Sequence, residues 1–166
     1  MSLEKEEEET RISRDGVAES YRRTGFGVSV NANLIRGTDM LDVFSFNVSC
    51  APEIESDSLF AEIRDKLELA RESGSIESGM MPVVFSPVAF MLTIGPALGM
   101  GFNGKMVEQG ASPLGDKLGE KVFDQRLSIH DDATLDKRPR SGPFDDEGVP
   151  TRRVTLVNRG VVSEFL

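Results

Sequence analysis

The apolar stretch MMPVVFSPVAFMLTIGPALGMGFNG, residues 80–104, constrains the fold more than any other part of the chain. Pro82 to Phe85 predicts a buried strand. Ser86 and Pro87 then predict the start of a helix, because serine caps helix N-termini and proline is tolerated in the first turn. This helix has almost no polar face, so we expect it to lie in a core and not on the surface. Pro96 and several glycines are expected to weaken or kink it, and it is too short to span a bilayer.

Several uncommon strings follow this stretch in a fixed order. After GxGxxG at 99–104 they are GASPLGDKLGEKV, LSIHDDAT, GPFDDEGVPTRR and LVNRGVV. In this order they resemble the TldD/PmbA family, once called modulators of DNA gyrase and since understood as metallopeptidase components. The resemblance runs from about Gly16 to the last residue and is most specific between Ser112 and Arg153.

The resemblance also bears on catalysis. Catalytic members of the family carry HExxxH on this helix, and aligning GMGFNG with the GHGLEG of those members places Gly95, Pro96 and Met100 at the three motif positions. None of these side chains can bind zinc or act as a general base. The resemblance therefore implies a non-catalytic paralogue of the TldE (PmbA) type, with no catalytic residue and no cofactor in this chain. Zinc would belong to a catalytic partner.

The remaining patterns predict an α+β fold with twisted antiparallel sheets and two to three packed helices. A β-meander is expected from about Gly16 to Ser49, with a turn at residues 36–39. A helix capped by Asp57 or Ser58 is expected to run to about Glu72, and a hairpin is expected around Asn158-Arg159-Gly160.

The domain organisation is predicted to be that of a fragment. Residues 1–11 read as a disordered acidic tail, since Glu4 to Glu9 is nearly all negative charge. Residues 12–166 read as the central part of a PmbA/TldD-like domain. The resemblance implies that an N-terminal domain and a C-terminal remainder are absent.

Charge limits the classes of partner. The net charge of −9 argues against a nucleic-acid surface, which needs Lys and Arg to neutralise phosphates. No stretch reads as a membrane helix or a signal peptide. The single cysteine cannot form an internal disulfide, which favours a cytoplasmic location.

Two other groups of residues are candidate sites. His130 and Asp132 could share one face of a strand and are weak metal candidates, although a lone histidine is more often structural. Asp145, Asp146 and Glu147 form a carboxylate cluster, and the resemblance implies that their loop lines a peptide cleft or contacts a partner subunit. The alternative is a loop fixed by aspartate side chains bonding to backbone N–H groups. GxGxxG follows a helix, so a tight helix exit is favoured over a dinucleotide site.

The leading hypothesis is a non-catalytic subunit of a TldD/TldE-type zinc metallopeptidase that acts on unfolded peptides. Its partner would be a TldD-like catalytic subunit, or a second copy of this chain. Two alternatives stay open. The chain could itself be a metal-dependent hydrolase with ligands outside the HExxxH position, or it could be a regulatory protein-binding module.

Overall fold

The fold is that of a computed structural model, which describes residues 1–14, 17–52, 56–72 and 74–166. These residues form six strands and three helices, arranged as two three-stranded antiparallel sheets, which confirms the predicted α+β class. The elements are β1 (Ser2–Arg14), β2 (Val17–Arg36), β3 (Asp39–Ser49), α1 (Ser56–Leu69), α2 (Pro87–Phe102), α3 (Gly104–Glu108), β4 (Ile129–Asp132), β5 (Arg153–Asn158) and β6 (Val161–Val162).

The chain divides into two compact units. The first comprises Met1–Glu77 and Thr134–Thr151, and holds β1, β2, β3 and α1. The second comprises Ser78–Ala133 and Arg152–Leu166, and holds α2, α3, β4, β5 and β6. Each unit has its own hydrophobic core.

In the first unit the sheet order is β1-β2-β3, and β2 and β3 pair around the predicted turn. The predicted meander is therefore confirmed over the described residues; Gly16 lies outside them. Helix α1 covers one face of the sheet because its apolar stripe packs on the inward side chains of β2. The buried members of this core are Val28, Val30, Leu59 and Ile63.

The start of α1 differs from the prediction. The helix begins by Ser56, so Asp57 and Ser58 lie in its first turn and do not cap it. Glu62 of α1 links the helix to the sheet. Its carboxylate accepts a hydrogen bond from the Ser45 hydroxyl at 2.5 Å and forms an ion pair with Lys66 at 2.6 Å. The hydrogen bond from Lys66, followed by that from Ser45, lowers the pKa of Glu62.

The acidic N-terminus forms a strand, so the prediction of a disordered tail over residues 1–11 was wrong. β1 pairs along its whole length with β2. The pairing sets opposite charges across from each other: Arg23 donates to Glu8, and the Nη2 of Arg22 lies 3.4 Å from Glu9. Cross-strand pairs of opposite charge stabilise antiparallel strands, and they offset the repulsion within the glutamate run.

The second unit is built around β5, the middle strand of the sheet β4-β5-β6. Its core consists of Phe102 from α2 and Leu156, Val157 and Val162 from the β5–β6 hairpin. The predicted hairpin is confirmed, with positive φ values of 48° at Arg159 and 85° at Gly160, the backbone that a two-residue hairpin turn requires.

A short turn before β4 provides a test of local electrostatics. Both the side chain and the backbone N–H of Arg126 donate to the Asp124 carboxylate, with Nε and backbone N each 2.9 Å from Oδ1. The side-chain bond, followed by the backbone bond, lowers the pKa of Asp124 from 3.8 to about 2.

Because the folded pKa lies below the ordinary value, this interaction stabilises the fold above pH 3.8 and is lost as the pH falls through about 2. We expect a carboxyl titration of Asp124 by NMR to show its midpoint near that low pH. Arg126→Ala should raise the pKa part of the way, since the backbone N–H remains. An unchanged midpoint in the variant would contradict the assignment of the cause.

Candidate functional site

The candidate site is built on α2. Ser86 caps the helix in an extended backbone conformation, with φ −64° and ψ 157°, and its Oγ accepts from the Ala89 N–H at 3.2 Å. Pro87 occupies the first turn, where its missing N–H costs no hydrogen bond. The predicted start is confirmed, and the helix continues through Pro96 to Phe102.

The predicted burial of this stretch was wrong. Pro82 to Phe85 forms no strand and is exposed, and of α2 only Gly101 and Phe102 are buried. Apolar composition indicates that side chains favour burial, but it does not say which surface covers them. Among the described residues none of the helices has the length and apolar character needed to cross a membrane.

The three positions at which the family resemblance would place the zinc motif lie on this helix. Gly95 has no side chain, Pro96 is exposed hydrocarbon, and Met100 is a thioether that is 59% exposed. Protein zinc ligands are imidazole, thiolate or carboxylate groups. The residues present at these positions therefore do not fit a zinc ion or supply a base for its water.

The described residues outside these three positions also lack a group suited to binding a metal ion. Over residues 1–14, 17–52, 56–72 and 74–166, His, Cys, Asp and Glu form no group of three or more that could hold a metal ion. The whole sequence has one histidine and one cysteine. A zinc site made by this chain alone would therefore need mainly carboxylate ligands.

The glycines at 99–104 form a tight exit from α2, as predicted. Leu166 hydrogen-bonds to the backbone at this end of α2. Its N–H donates to the Phe102 carbonyl at 2.8 Å, and its carbonyl accepts from the Gly104 N–H at 2.6 Å. A methyl group on Gly104 would overlap the carbonyl oxygen of Leu166, and one on Gly101 would lie 3.0 Å from Leu114 Cδ1. These two glycines are explained by packing.

His130 and Asp132 both lie on β4, two residues apart, after a β-bulge between Ile129 and His130. The exposed ring of His130 has its Nδ1 3.1 Å from the Thr155 hydroxyl. A carboxylate oxygen of Asp132 lies 3.8 Å from the Arg153 Nε. The two residues therefore face different partners on β5.

The carboxylate loop is organised by Asp145. Its Oδ1 accepts from the backbone N–H groups of Glu147 and Val149, each at 2.9 Å, and its own N–H donates to the Val149 carbonyl at 3.0 Å. These bonds agree with the alternative given in the sequence analysis, a loop fixed by an aspartate side chain that bonds to backbone N–H groups. The side chains of Asp146 and Glu147 are exposed, which leaves them accessible to a cleft or a partner.

Phe144 anchors this loop within the first unit. Its ring meets the ring of Tyr21 edge-on, with centroids 5.2 Å apart. Gly142 lies against the same Tyr21, and Gly148 lies against Ile12. The loop therefore covers the end of the sheet face opposite α1.

Sequence reasoning missed a groove of about 150 Å³ on the open part of that face. Gly27, Phe46, Val48 and Glu4 line it, together with Ser2, Val28, Ser29 and Asn47. The available signal was the Gly-Phe-Gly at 25–27 in a β-rich run, because glycine in a strand interior often marks a close approach by another molecule.

The second half of the chain gives the most specific matches to known proteins. Residues 78–166 match the family described as the PmbA/TldA metallopeptidase C-terminal domain. A metalloprotease of Archaeoglobus fulgidus is 40% identical over 91 residues, which cover 54% of this chain and 21% of that protein.

Two solved structures share the fold. TldE from Thermococcus kodakarensis superposes with a TM-score of 0.82 at 22% identity, covering 96% of this chain and 37% of that one. A candidate modulator of DNA gyrase from Bacteroides thetaiotaomicron superposes with a TM-score of 0.88 at 19% identity, covering 98% and 38%. The chain spans less than a third of the length of the curated relatives that match it first.

Proposed function

The chain belongs to the PmbA/TldD metallopeptidase family, and on that premise we propose that it is a non-catalytic subunit of a TldD/TldE-type zinc peptidase acting on unfolded peptides. A TldD-like subunit would supply HExxxH and hold the zinc. This chain would contribute contact surface and part of the substrate chamber.

The observation that carries the proposal is the chemistry of three positions on α2. Gly95, Pro96 and Met100 stand where the resemblance places the two histidines and the glutamate, and none has an imidazole or a carboxylate. Zinc hydrolysis needs ligands for the metal and a group that takes a proton from its bound water. The helix on which the resemblance places the motif is present, whereas these three positions carry neither a coordinating nor a basic group.

The exposed surface around α2 supports a place in an assembly. Residues 78–104 contain no charged residue, in a chain of which 28% is charged. Nine large apolar side chains there are at least 40% exposed: Met80, Met81, Val83, Val84, Phe85, Phe90, Met91, Leu92 and Met100. Their combined area is on the order of the 800 Å² per partner that a standard protein interface buries.

Leu92→Lys tests this role. A lysine at the centre of an apolar contact would lose its hydration, so we expect the variant to lose co-purification with a family member that carries HExxxH, and with it the hydrolysis that the pair performs. Leu92 is 56% exposed, so the isolated chain should still fold. Circular dichroism would check the fold.

Leu69→Lys is the matched control. It makes the same change at an 87% exposed leucine on α1 and should leave co-purification unchanged. Equal binding by both variants would place the contact elsewhere. Failure of the unsubstituted chain to bind any HExxxH-bearing member would contradict the partner-subunit proposal itself.

A further inference from the structure

The sheet face opposite α1 contains a depression that we call the glycine trough. Its floor is Gly25 and Gly27 of β2, Glu4 and Glu6 of β1 stand on one side, and Val48 of β3 stands on the other. The register makes Glu4, Gly27 and Val48 direct neighbours in one row across the sheet, and Glu6 and Gly25 neighbours in the next. In the Gly27 row the missing side chain leaves Glu4 and Val48 about 9 to 10 Å apart, which is two spacings between adjacent strands. The Gly25 row has Glu6 on one side and no β3 neighbour on the other.

Side chains in the two neighbouring rows close both ends of the glycine trough. In the row next to Gly27, the Ser2 and Ser29 hydroxyls hydrogen-bond at 2.8 Å, and Phe46 continues that row on β3. In the row beyond Gly25, the ion pair of Glu8 and Arg23 crosses the face. The open length therefore comprises the two glycine rows.

Nothing within the described chain accounts for these glycines. Neither has a positive φ, which would favour glycine on conformational grounds. A methyl group on Gly27 would meet no atom within 4 Å, and one on Gly25 would meet only Glu6 Cβ, at 4.0 Å. Glycine in a strand interior costs stability, and where packing and backbone do not require it, it often marks the approach of another molecule.

The two sides of the trough have different chemistry. On β1, Glu7, Glu8 and Glu9 each pair with a cation, whereas Glu4 and Glu6 have no ion pair within the described residues. On β3, Val48 is 50% exposed and Phe46 is 37% exposed. A carboxylate side facing an apolar side suits a long basic side chain, whose stem packs on hydrocarbon while its charged head reaches the carboxylates.

We propose that the glycine trough binds an extended segment of another protein that presents an arginine or lysine side chain. The stem of that side chain lies along Val48 and Phe46, and its head pairs with Glu4 and Glu6. The absence of side chains at Gly25 and Gly27 lets the backbone of the segment approach the sheet. A second copy of this chain is disfavoured as the occupant, because two molecules of net charge −9 repel each other. This inference is independent of the proposed function.

The probe is a short fluorescent peptide in which arginine alternates with valine, and its control has glutamate in place of arginine. We expect fluorescence anisotropy to show binding of the arginine peptide only, and to show that binding weakens as salt is added. Gly27→Val fills the floor and should abolish binding while raising the melting temperature, since valine favours strands. Gly27→Ala is the smaller change, to be used if the valine variant does not fold.

Charge variants test the carboxylate side. Glu4→Gln and Glu6→Gln should each weaken binding by roughly tenfold, as expected for the loss of one charge-assisted contact. Glu7→Gln makes the same change on the opposite face of β1 and should leave binding unaltered. Three outcomes would overturn the proposal: equal binding of the glutamate peptide, undiminished binding by the filled variants, or self-association that Gly27→Val removes without any peptide binding.

Discussion

Gly160→Ala is expected to destabilise the second unit by about 2 to 5 kcal/mol, because two separate penalties add. Residue 160 has a φ of 85°, a left-handed conformation that costs an L-residue roughly 1 to 2 kcal/mol. A methyl group there would also overlap the Phe123 carbonyl oxygen and lie 2.9 Å from that of Asp124. Such overpacking costs typically 1 to 3 kcal/mol.

The clash cannot relax locally, since the backbone of Gly160 is bonded on both sides. Its N–H donates to the Leu127 carbonyl at 2.9 Å, and its carbonyl accepts from the N–H groups of Val122 and Phe123, each at 3.0 Å. Moving the turn away from the Phe123 carbonyl would stretch these bonds. Chemical denaturation, with hydrogen exchange of the β5 amides as the reporter for this unit, measures the loss.

Gly119→Ala separates the two penalties. Residue 119 has a nearly identical φ of 81°, but a methyl group there meets no atom within 4 Å. This variant should therefore lose only the conformational part, about 1 to 2 kcal/mol. Equal losses at the two positions would show that the approach to the Phe123 carbonyl is not a close contact in solution.

Phe102→Ala has a comparably large expected effect. Phe102 is 1% exposed, and its ring lies 6.4 Å from that of Phe123 and 6.2 Å from that of Phe165, centroid to centroid. Removing a buried phenylalanine side chain leaves a cavity and costs typically 3 to 5 kcal/mol. We expect this loss in the same denaturation experiment, with faster exchange of the β5 amides.

Phe60→Ala is the control for residue type. Phe60 lies on α1 and is 50% exposed, so its truncation should cost well under half as much. A small effect of Phe102→Ala, comparable to that of Phe60→Ala, would mean that α2 does not end in the core of the second unit.

Two local signals in the sequence predicted the ends of elements correctly, although the start of α1 was missed. Ser86-Pro87 located the start of α2, and Asn158-Arg159-Gly160 located the β5–β6 turn, because capping and turn chemistry depend on a few adjacent residues. Pro96 did not end α2: a proline removes one hydrogen bond, and a helix can continue past that loss.

Pairing over long distance was predicted less well. A run of glutamates by itself predicts a solvated tail. Glu8-Glu9 and Arg22-Arg23 are spaced so that they meet across an antiparallel pair, and the Asp-Gly at 15–16, outside the described residues, is a dipeptide typical of hairpins. Opposite charges placed symmetrically about such a dipeptide were the signal for β1.

The candidate site could be predicted only in its chemistry. The identities of Gly95, Pro96 and Met100 follow from the sequence, and so does the absence of a zinc ligand among them. The exposure of α2 does not follow, because hydropathy is a property of the side chain and burial depends on what lies against it. The glycine trough was likewise hidden, since it requires the register of three strands.

Metal content tests the central claim most directly. We would measure zinc by mass spectrometry in this protein alone and in its complex with an HExxxH-bearing family member, together with hydrolysis of an unfolded peptide. We expect stoichiometric zinc and hydrolysis only in the complex. Stoichiometric zinc and hydrolysis in this protein alone, with the zinc lost in His130→Ala, would contradict the non-catalytic assignment and move the site to β4.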